Sequence, residues 1–434
     1  MSRMSRWWLP LGFFVMVLLW TSCGPRALPT PAPSRPAASA VEPIKIGILS
    51  PLSGSASTMG GADRAGAEFV AQEINNNGGI KSLGGAQIKV VFADSQSDPK
   101  VSQTEAERLL AQEKVSVLLG PLLPAELNQA GLLAEQAKVP MVAFGRMDDL
   151  IPKNLNFVRS VRPLAKDGFT PYPKLLKQLA EEYKVKTGKV LLLLPDDQLG
   201  RSIVDPMLRQ GLKEVGLLDS TLPSMFVDQN ASEQASSLLK LKAINPDAVI
   251  AVQYGGAAYE WHKARVSLNY TPQVFIGHLW PYTTKRPWKE IPPDIAQAAL
   301  VQPGVFGTDL ISLRIKYKPQ VDFIAKANSF AVSKGLDASD VEFMTGAQAM
   351  YVVAASLENA ASRDPDKINQ VMRGISLREG DPRMIFAVFS PSLEFTPAGG
   401  LKNTGIFLGQ WDRKGENWEI VLPKEFRTAE AWLK

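Results

Sequence analysis

The feature that most constrains this chain is a strand–loop–helix–turn–strand unit over residues 44–94. Ile44-Lys45-Ile46-Gly47-Ile48-Leu49 is an apolar, β-branched run that stops at Ser50-Pro51-Leu52-Ser53-Gly54, which predicts a buried strand ending in a loop. After Gly60-Gly61, residues Ala62, Ala65, Gly66, Phe69 and Val70 recur at helical spacing, with Asp63, Arg64, Glu68 and Gln72 on the other side. Asn75-Asn76-Asn77-Gly78-Gly79 ends that helix with residues that tolerate positive φ, and 88–92 supplies a second strand. Such a βαβ unit predicts a parallel sheet covered by helices. The loop 50–61 leaves the C-terminal end of the first strand, the edge at which open α/β sheets bind ligands.

The segment before this unit is a different kind of sequence. Arg3 and Arg6 precede an apolar run over 7–20, then Thr21-Ser22-Cys23. The run falls short of the roughly 20 residues a membrane span needs and suits a secretory leader over 1–22. Cys23 is the only cysteine. Its setting resembles a bacterial lipobox, with Trp20 where Leu is usual, so Cys23 is expected to carry a lipid and tether the protein to a membrane. A cleaved leader with an incidental Cys is the alternative. Residues 23–43, rich in Pro and Ala, cannot bury a core and read as an extended tether. The implied location is outside the cytoplasm, periplasmic or at the cell surface. A lone Cys excludes an internal disulfide. The formal charge of +5 falls to +3 once Arg3 and Arg6 are removed, and no basic stripe is interleaved with aromatics, so no nucleic-acid partner is expected.

Beyond residue 94 helices and strands alternate. Helices over 101–113 and 125–137 separate strands over 115–119 and 139–144, and Phe157-Val158 adds an edge strand. A second series repeats the rhythm, with helices 172–183, 199–215, 231–243 and 256–268 and strands 189–194, 222–227, 247–252 and 273–276. The stretch 281–293 holds four prolines and reads as a return to the first lobe. Helices 321–333, 341–361 and 365–374, a strand 384–389 and a hairpin of 404–411 with 418–421 complete the pattern. Two similar lobes are expected, one from 44–163 and 285–390, the other from 164–284 and 391–434.

Several of these runs are familiar together. Ile46-Gly47-Ile48-Leu49-Ser50-Pro51-Leu52-Ser53-Gly54, Glu73-Ile74-Asn75 with Gly78-Gly79-Ile80, Asp94 with Asp98-Pro99, Leu119-Gly120-Pro121, Val139-Pro140-Met141-Val142, Ile244-Asn245-Pro246-Asp247-Ala248-Val249 and Gly409-Gln410-Trp411 resemble the bacterial type I solute-binding proteins. Their branch is the leucine/isoleucine/valine-binding group that serves ABC importers, and the likeness covers residues 44–422. The resemblance implies an α/β fold of two Rossmann-like lobes with parallel sheets joined by three crossovers. It further implies hinged closure on a small-molecule ligand and ABC permease subunits as partners. A ligand-sensing subunit of a signalling system would share the fold.

Enzyme chemistry is not written in the residues. The two histidines, His262 and His278, have no Cys or carboxylate at metal-ligand spacing, and no Gly-x-Ser-x-Gly elbow, HExxH or phosphate-loop lysine occurs. No cofactor, metal or catalytic residue is expected. Asp148-Asp149 and Asp196-Asp197 read as solvated caps in loops, and His262 as a packed or surface histidine. The resemblance instead points to a ligand pocket. Where the family places a Ser and a Thr for an amino acid's charged head, this chain has Pro124, after Leu123, and Met147, after Phe144, Gly145 and Arg146. Its acid position falls at Leu279, between His278 and Trp280. Covering residues fall at Leu199 and Tyr254, and Met59 replaces a bulky group in the first loop. A buried ammonium without a carboxylate costs several kcal/mol, so a free α-amino acid is expected to be a poor ligand. Arg146 could instead fork onto a carboxylate, or point to solvent, or bridge the lobes.

Overall fold

The computed structural model describes residues 41–433 apart from 149, 230–232, 254, 310–314, 386–391 and 403, and gives backbone without side chain at 152, 165, 166 and 280. The leader, Cys23 and nearly all of the tether lie outside the described residues. The opening unit forms as its sequence predicts. Strand β1 (Ile44–Ser50) pairs in parallel with β2 (Ile88–Asp94), and the helix Ser57–Asn76 connects them. Asn75 closes that helix on the second strand: Ile88 N–H donates to its Oδ1 at 2.7 Å, and its Nδ2 donates to Ile88 O at 2.8 Å. Asp98 caps the next helix, Pro99–Glu107, by accepting from the N–H groups of Lys100 (2.7 Å) and Val101 (3.1 Å).

Strands β3 (Val117–Leu119), β4 (Met141–Ala143) and β5 (Val158–Ser160) complete a parallel sheet of order β2-β1-β3-β4-β5. The second series supplies β6 (Val190–Pro195), β7 (Met225–Val227), β8 (Ala248–Ala251), β9 (Val274–His278) and β10 (Val305–Asp309). Strands β11 (Ser376–Arg378) and β12 (Ser392–Glu394) form a separate antiparallel pair. Strands β13 (Phe407–Trp411) and β14 (Trp418–Leu422) add an antiparallel edge to the second sheet, whose order is β14-β13-β10-β9-β8-β6-β7. The two-lobed α/β class read from the sequence is therefore the observed one.

The return to the first lobe differs from the sequence expectation. Within 281–293, Pro287 and Pro293 open the helices Pro287–Glu290 and Pro293–Leu300. A first-turn proline starts a helix because its missing N–H would be unpaired there anyway. The helix Pro293–Leu300 packs on Gly255–Ser267, and β10 joins β9 in the second sheet, so the crossover comes after Asp309. The predicted strand 384–389 falls largely outside the described residues. Met384 and Ile385 are irregular, with Ile385 N–H donating to Gln348 Oε1 at 2.8 Å.

The first core is built around the helix Val341–Ala360, buried at every position from Val341 to Leu357. It crosses Ser57–Asn76 so closely that the two backbones touch. A Cβ on Gly66 would lie 1.8 Å from Phe343 O, and one on Gly346 would lie 1.8 Å from Asp63 O. Asp63, which helical spacing puts on the polar side, is fully buried at this crossing. Ile46, Ile48, Val117 and Leu119 of the sheet pack with both helices.

Two outcomes follow from this packing. Alanine in place of glycine inside a helix normally gains about 1 kcal/mol, but Gly346→Ala should destabilise the fold by about 1–3 kcal/mol through overpacking, read as a lower urea midpoint. The second concerns Glu126, fully buried in the first turn of the helix Pro124–Ala137. Burial, against the lowering pull of the Ser95 hydroxyl and the Leu123 N–H and helped by nearby Asp94 and Asp98, pushes its carboxyl from 4.5 up to about 7. The native state then holds this proton more tightly than the unfolded chain. Stability should be greatest below pH 4.5, fall as pH rises to 7 and level off above, by about 3 kcal/mol for this group. Urea titrations of Glu126→Gln across that range should lack this slope.

Candidate functional site

In each sheet the chain reverses direction of winding beside its first strand, so β1 lies between β2 and β3, and β6 between β7 and β8. Loops leaving the C-terminal ends diverge there and open a crevice. Here the crevices of the two lobes share one cleft of about 810 Å³. The first lobe contributes the loops after β1, β3 and β4, and the second those after β6, β7, β8 and β9. The loop after β1 is pinned by its neighbour. Leu52 and Ser53 N–H donate to Asp94 Oδ1 (2.8 and 3.2 Å), and Ala56 N–H donates to Ser97 Oγ (3.1 Å). That holds Ser55, Thr58 and Met59 at the cleft wall.

Of the residues picked from the sequence, Met59, Leu123, Pro124, Gly145, Arg146, Met147, Leu199, His278 and Leu279 line the cleft. Phe144 does not. It follows β4 directly and turns back into the first core, fully buried with Val142, Leu119 and Leu122. Tyr254 lies outside the described residues, and Trp280 is described only as the first residue of the helix Trp280–Thr283. The cleft is also more charged than the sequence suggests. Asp228, at the end of β7, and Glu290 face it from the second lobe, and Arg162, Glu342, Asp148 and Arg286 line it as well. The position of Asp228 directly after a strand was the available signal; Glu342, in the first turn of an otherwise apolar helix, offered none.

Most of these charges are paired. Arg162 donates to Glu342 Oε1 at 3.0 Å in a fully buried ion pair, and Arg286 donates to Asp340 Oδ2. Burial alone would raise the Glu342 carboxyl, but Arg162, a hydrogen bond from Asp340 and Arg286 together outweigh it and hold the group ionised. Asp63, beside them, is driven well above the usual carboxylate range by burial. The pair Asp196 and Arg201 sits in the open, and Asp197 accepts from Gly200 N–H at 2.9 Å, so those acids are local caps as expected.

Arg146 stands apart. Its guanidinium reaches across to the second lobe, 4.7 Å from the centre of the Phe169 ring in the short helix Ala165–Phe169. Its Nε and Nη2 have no hydrogen-bond partner. Burial and the neighbouring Arg162 bring its pKa down to about 10, which leaves it a cation at neutral pH. Across the same phenylalanine lies His278, its ring centre 4.8 Å from that of Phe169. His278 Nδ1 bonds Tyr172 Oη, and Tyr172 Oη bonds Thr308 Oγ1 at 2.5 Å. Burial, with Arg146 and Arg162 adding to it, depresses the imidazole well below its ordinary range. Leu279, next in the chain, adopts φ +55, a left-handed conformation that costs a leucine about 1–2 kcal/mol. That turn ends β9 and leaves both His278 and Leu279 on the cleft.

Among the described residues, the cleft between the lobes thus holds Arg146 with Nε and Nη2 unpartnered, a neutral imidazole, and both apolar and charged side chains. Among the described residues no cluster of His, Cys, Asp or Glu could hold a metal ion, and no helix is long and apolar enough to cross a membrane.

Comparison with known proteins agrees with this architecture. A family model described as periplasmic binding protein matches residues 43–416. A Leu/Ile/Val-binding protein homolog 7 of Brucella abortus is 27% identical over 267 residues, 61% of this chain and 65% of that protein. The chain therefore matches just under two thirds of that relative's length. Among solved structures, the branched-chain amino acid transporter substrate binding protein LivJ of Streptococcus pneumoniae, in complex with isoleucine, superposes with a TM-score of 0.68 at 19% identity, covering 88% of this chain and 100% of that one. An ABC transporter solute-binding protein of R. palustris in complex with benzoate gives 0.71 at 17% identity, covering 90% and 98%. On the family match over residues 43–416, the chain belongs to the periplasmic binding protein family.

Proposed function

We propose that this protein is the extracytoplasmic solute-binding component of an ABC importer and that its ligand is a carboxylate with an apolar body. The observation that carries the reading is the Arg146 guanidinium, facing the cleft with Nε and Nη2 unpartnered. A buried guanidinium recognises a carboxylate through paired charge-assisted hydrogen bonds. Met59, Leu123, Met147, Leu199 and Leu279 offer the ligand's body apolar surface. The R. palustris neighbour that binds benzoate and the S. pneumoniae neighbour that binds isoleucine support a carboxylate in a cleft of this fold.

Calorimetry on ligand-stripped protein tests this. A branched or aromatic carboxylate should bind, and Arg146→Ala should weaken it by about 1.5–3 kcal/mol. Leucine, isoleucine and valine should bind about 100-fold or more weakly, because Pro124, Met147 and Leu279 supply no partner for an ammonium. Submicromolar leucine binding would overturn the reading and assign the ammonium to Asp148 or Asp228. The lipid anchor at Cys23 belongs to the same proposal and rests on the leader and tether around it. Cys23→Ser should move the protein from the membrane fraction to the soluble one with an unchanged melting temperature. An unchanged membrane fraction would remove the anchor.

A further inference from the structure

The hydrogen-bond chain behind His278 has three contacts and three protons to place. Thr308 Oγ1 lies 3.2 Å from Gly277 O, which can only accept, so the threonine hydroxyl donates there. Tyr172 then donates to Thr308 Oγ1, and its oxygen is left to accept from His278 Nδ1–H. This single arrangement satisfies every contact. The competing one, with Tyr172 donating to Nδ1 and Thr308 to Tyr172, abandons Gly277 O. Tyr172 is fully buried, and burial drives its hydroxyl far above the usual phenol range, so it keeps its proton. Among the described residues His278 makes no other side-chain hydrogen bond, and the residue lines the cleft. With Nδ1 carrying the only ring proton, Nε2 presents a bare lone pair.

We propose that His278 Nε2 accepts a hydrogen bond from a neutral hydroxyl on the ligand, so that the cleft takes a hydroxy acid, its carboxylate on Arg146 and its hydroxyl on His278. This rests on the carboxylate reading of Arg146 and adds a second polar anchor to it. The donor is a hydroxyl rather than an ammonium because of the charges around the ring. Arg146 and Arg162 oppose protonation of His278, and they oppose any other positive charge brought to the same place. Phe169 touches both the guanidinium and the imidazole, which keeps the two anchors within the span of one small molecule.

The other histidine provides an internal control. His262 Nε2–H donates to Pro281 O at 3.2 Å while its buried Nδ1 has no partner, so it is the opposite tautomer. Burial pushes it down to about 3, and it stays neutral alongside His278. Nitrogen NMR on the full chain labelled at histidine should therefore show, at neutral pH, two uncharged rings protonated at opposite nitrogens. Tyr172→Phe should shift only the His278 signals toward the Nε2–H form. Two Nε2–H rings, or a charged His278, would overturn the inference without any ligand.

Binding supplies the second test, using 2-hydroxy-4-methylpentanoate against 4-methylpentanoate and 4-hydroxybenzoate against benzoate. In at least one pair the hydroxy acid should bind about tenfold tighter, and His278→Phe, checked for folding by its melting temperature, should bring the ratio to about one. Ratios near one in the unmodified protein, or a preference that survives His278→Phe, would overturn the hydroxyl site while leaving the Arg146 reading intact. If none of the four acids binds, and Arg146→Ala changes nothing, both fall.

Discussion

Two helix backbones in direct contact hold this architecture together. Where Ser57–Asn76 crosses Val341–Ala360, neither Gly66 nor Gly346 has room for a methyl group, and the approach they permit brings distant parts of the chain to one place. Asp340 caps the helix Val341–Ala360 and Glu342 lies in its first turn, and this crossing sets Glu342 on the cleft beside Arg162 and Asp340 against Arg286. The Arg162–Glu342 pair lies buried at the cleft wall, and removing either partner would leave an uncompensated charge costing about 3–5 kcal/mol.

What could be read in advance followed from periodicity. Strands β1, β6 and β8 are continuous apolar runs, and the glycine and proline punctuation around them marks the loops at which both lobes bind. Nine cleft residues were placed by the resemblance to solute-binding proteins, which assigns ligand contacts to those loops. Three kinds of information were not. Pro287 and Pro293 look like breakers until their neighbours show them to be first helical residues, and this hid β10 inside the second sheet. Phe144 lies one residue past a strand, where a single step of alternation decides between core and cleft. Asp63 breaks the apolar stripe by charge while obeying it by burial, because the partner helix approaches on a glycine.

Charge in the cleft is organised by subtraction. Arg162 and Arg286 are each consumed by a carboxylate, while Arg146 leans on an aromatic face, an interaction worth about 0.5–2 kcal/mol that leaves its in-plane N–H groups unspent. The same ring also packs against His278, so one phenylalanine from the second lobe contacts both a cation of the first lobe and an imidazole of its own.

The Arg286–Asp340 pair has a kinetic side. Asp340 and Val341 belong to the first lobe, whereas Arg286, Tyr259, Leu279 and Ile291 belong to the second, and together they form a desolvated ion pair beside a small apolar cluster. Separating the lobes means wetting both, whatever occupies the cleft. That toll is levied by the protein on itself, so the escape of a weakly held molecule and of a tightly held one share part of the same barrier. Residence times should accordingly all carry the same added term, whatever the affinity of the ligand.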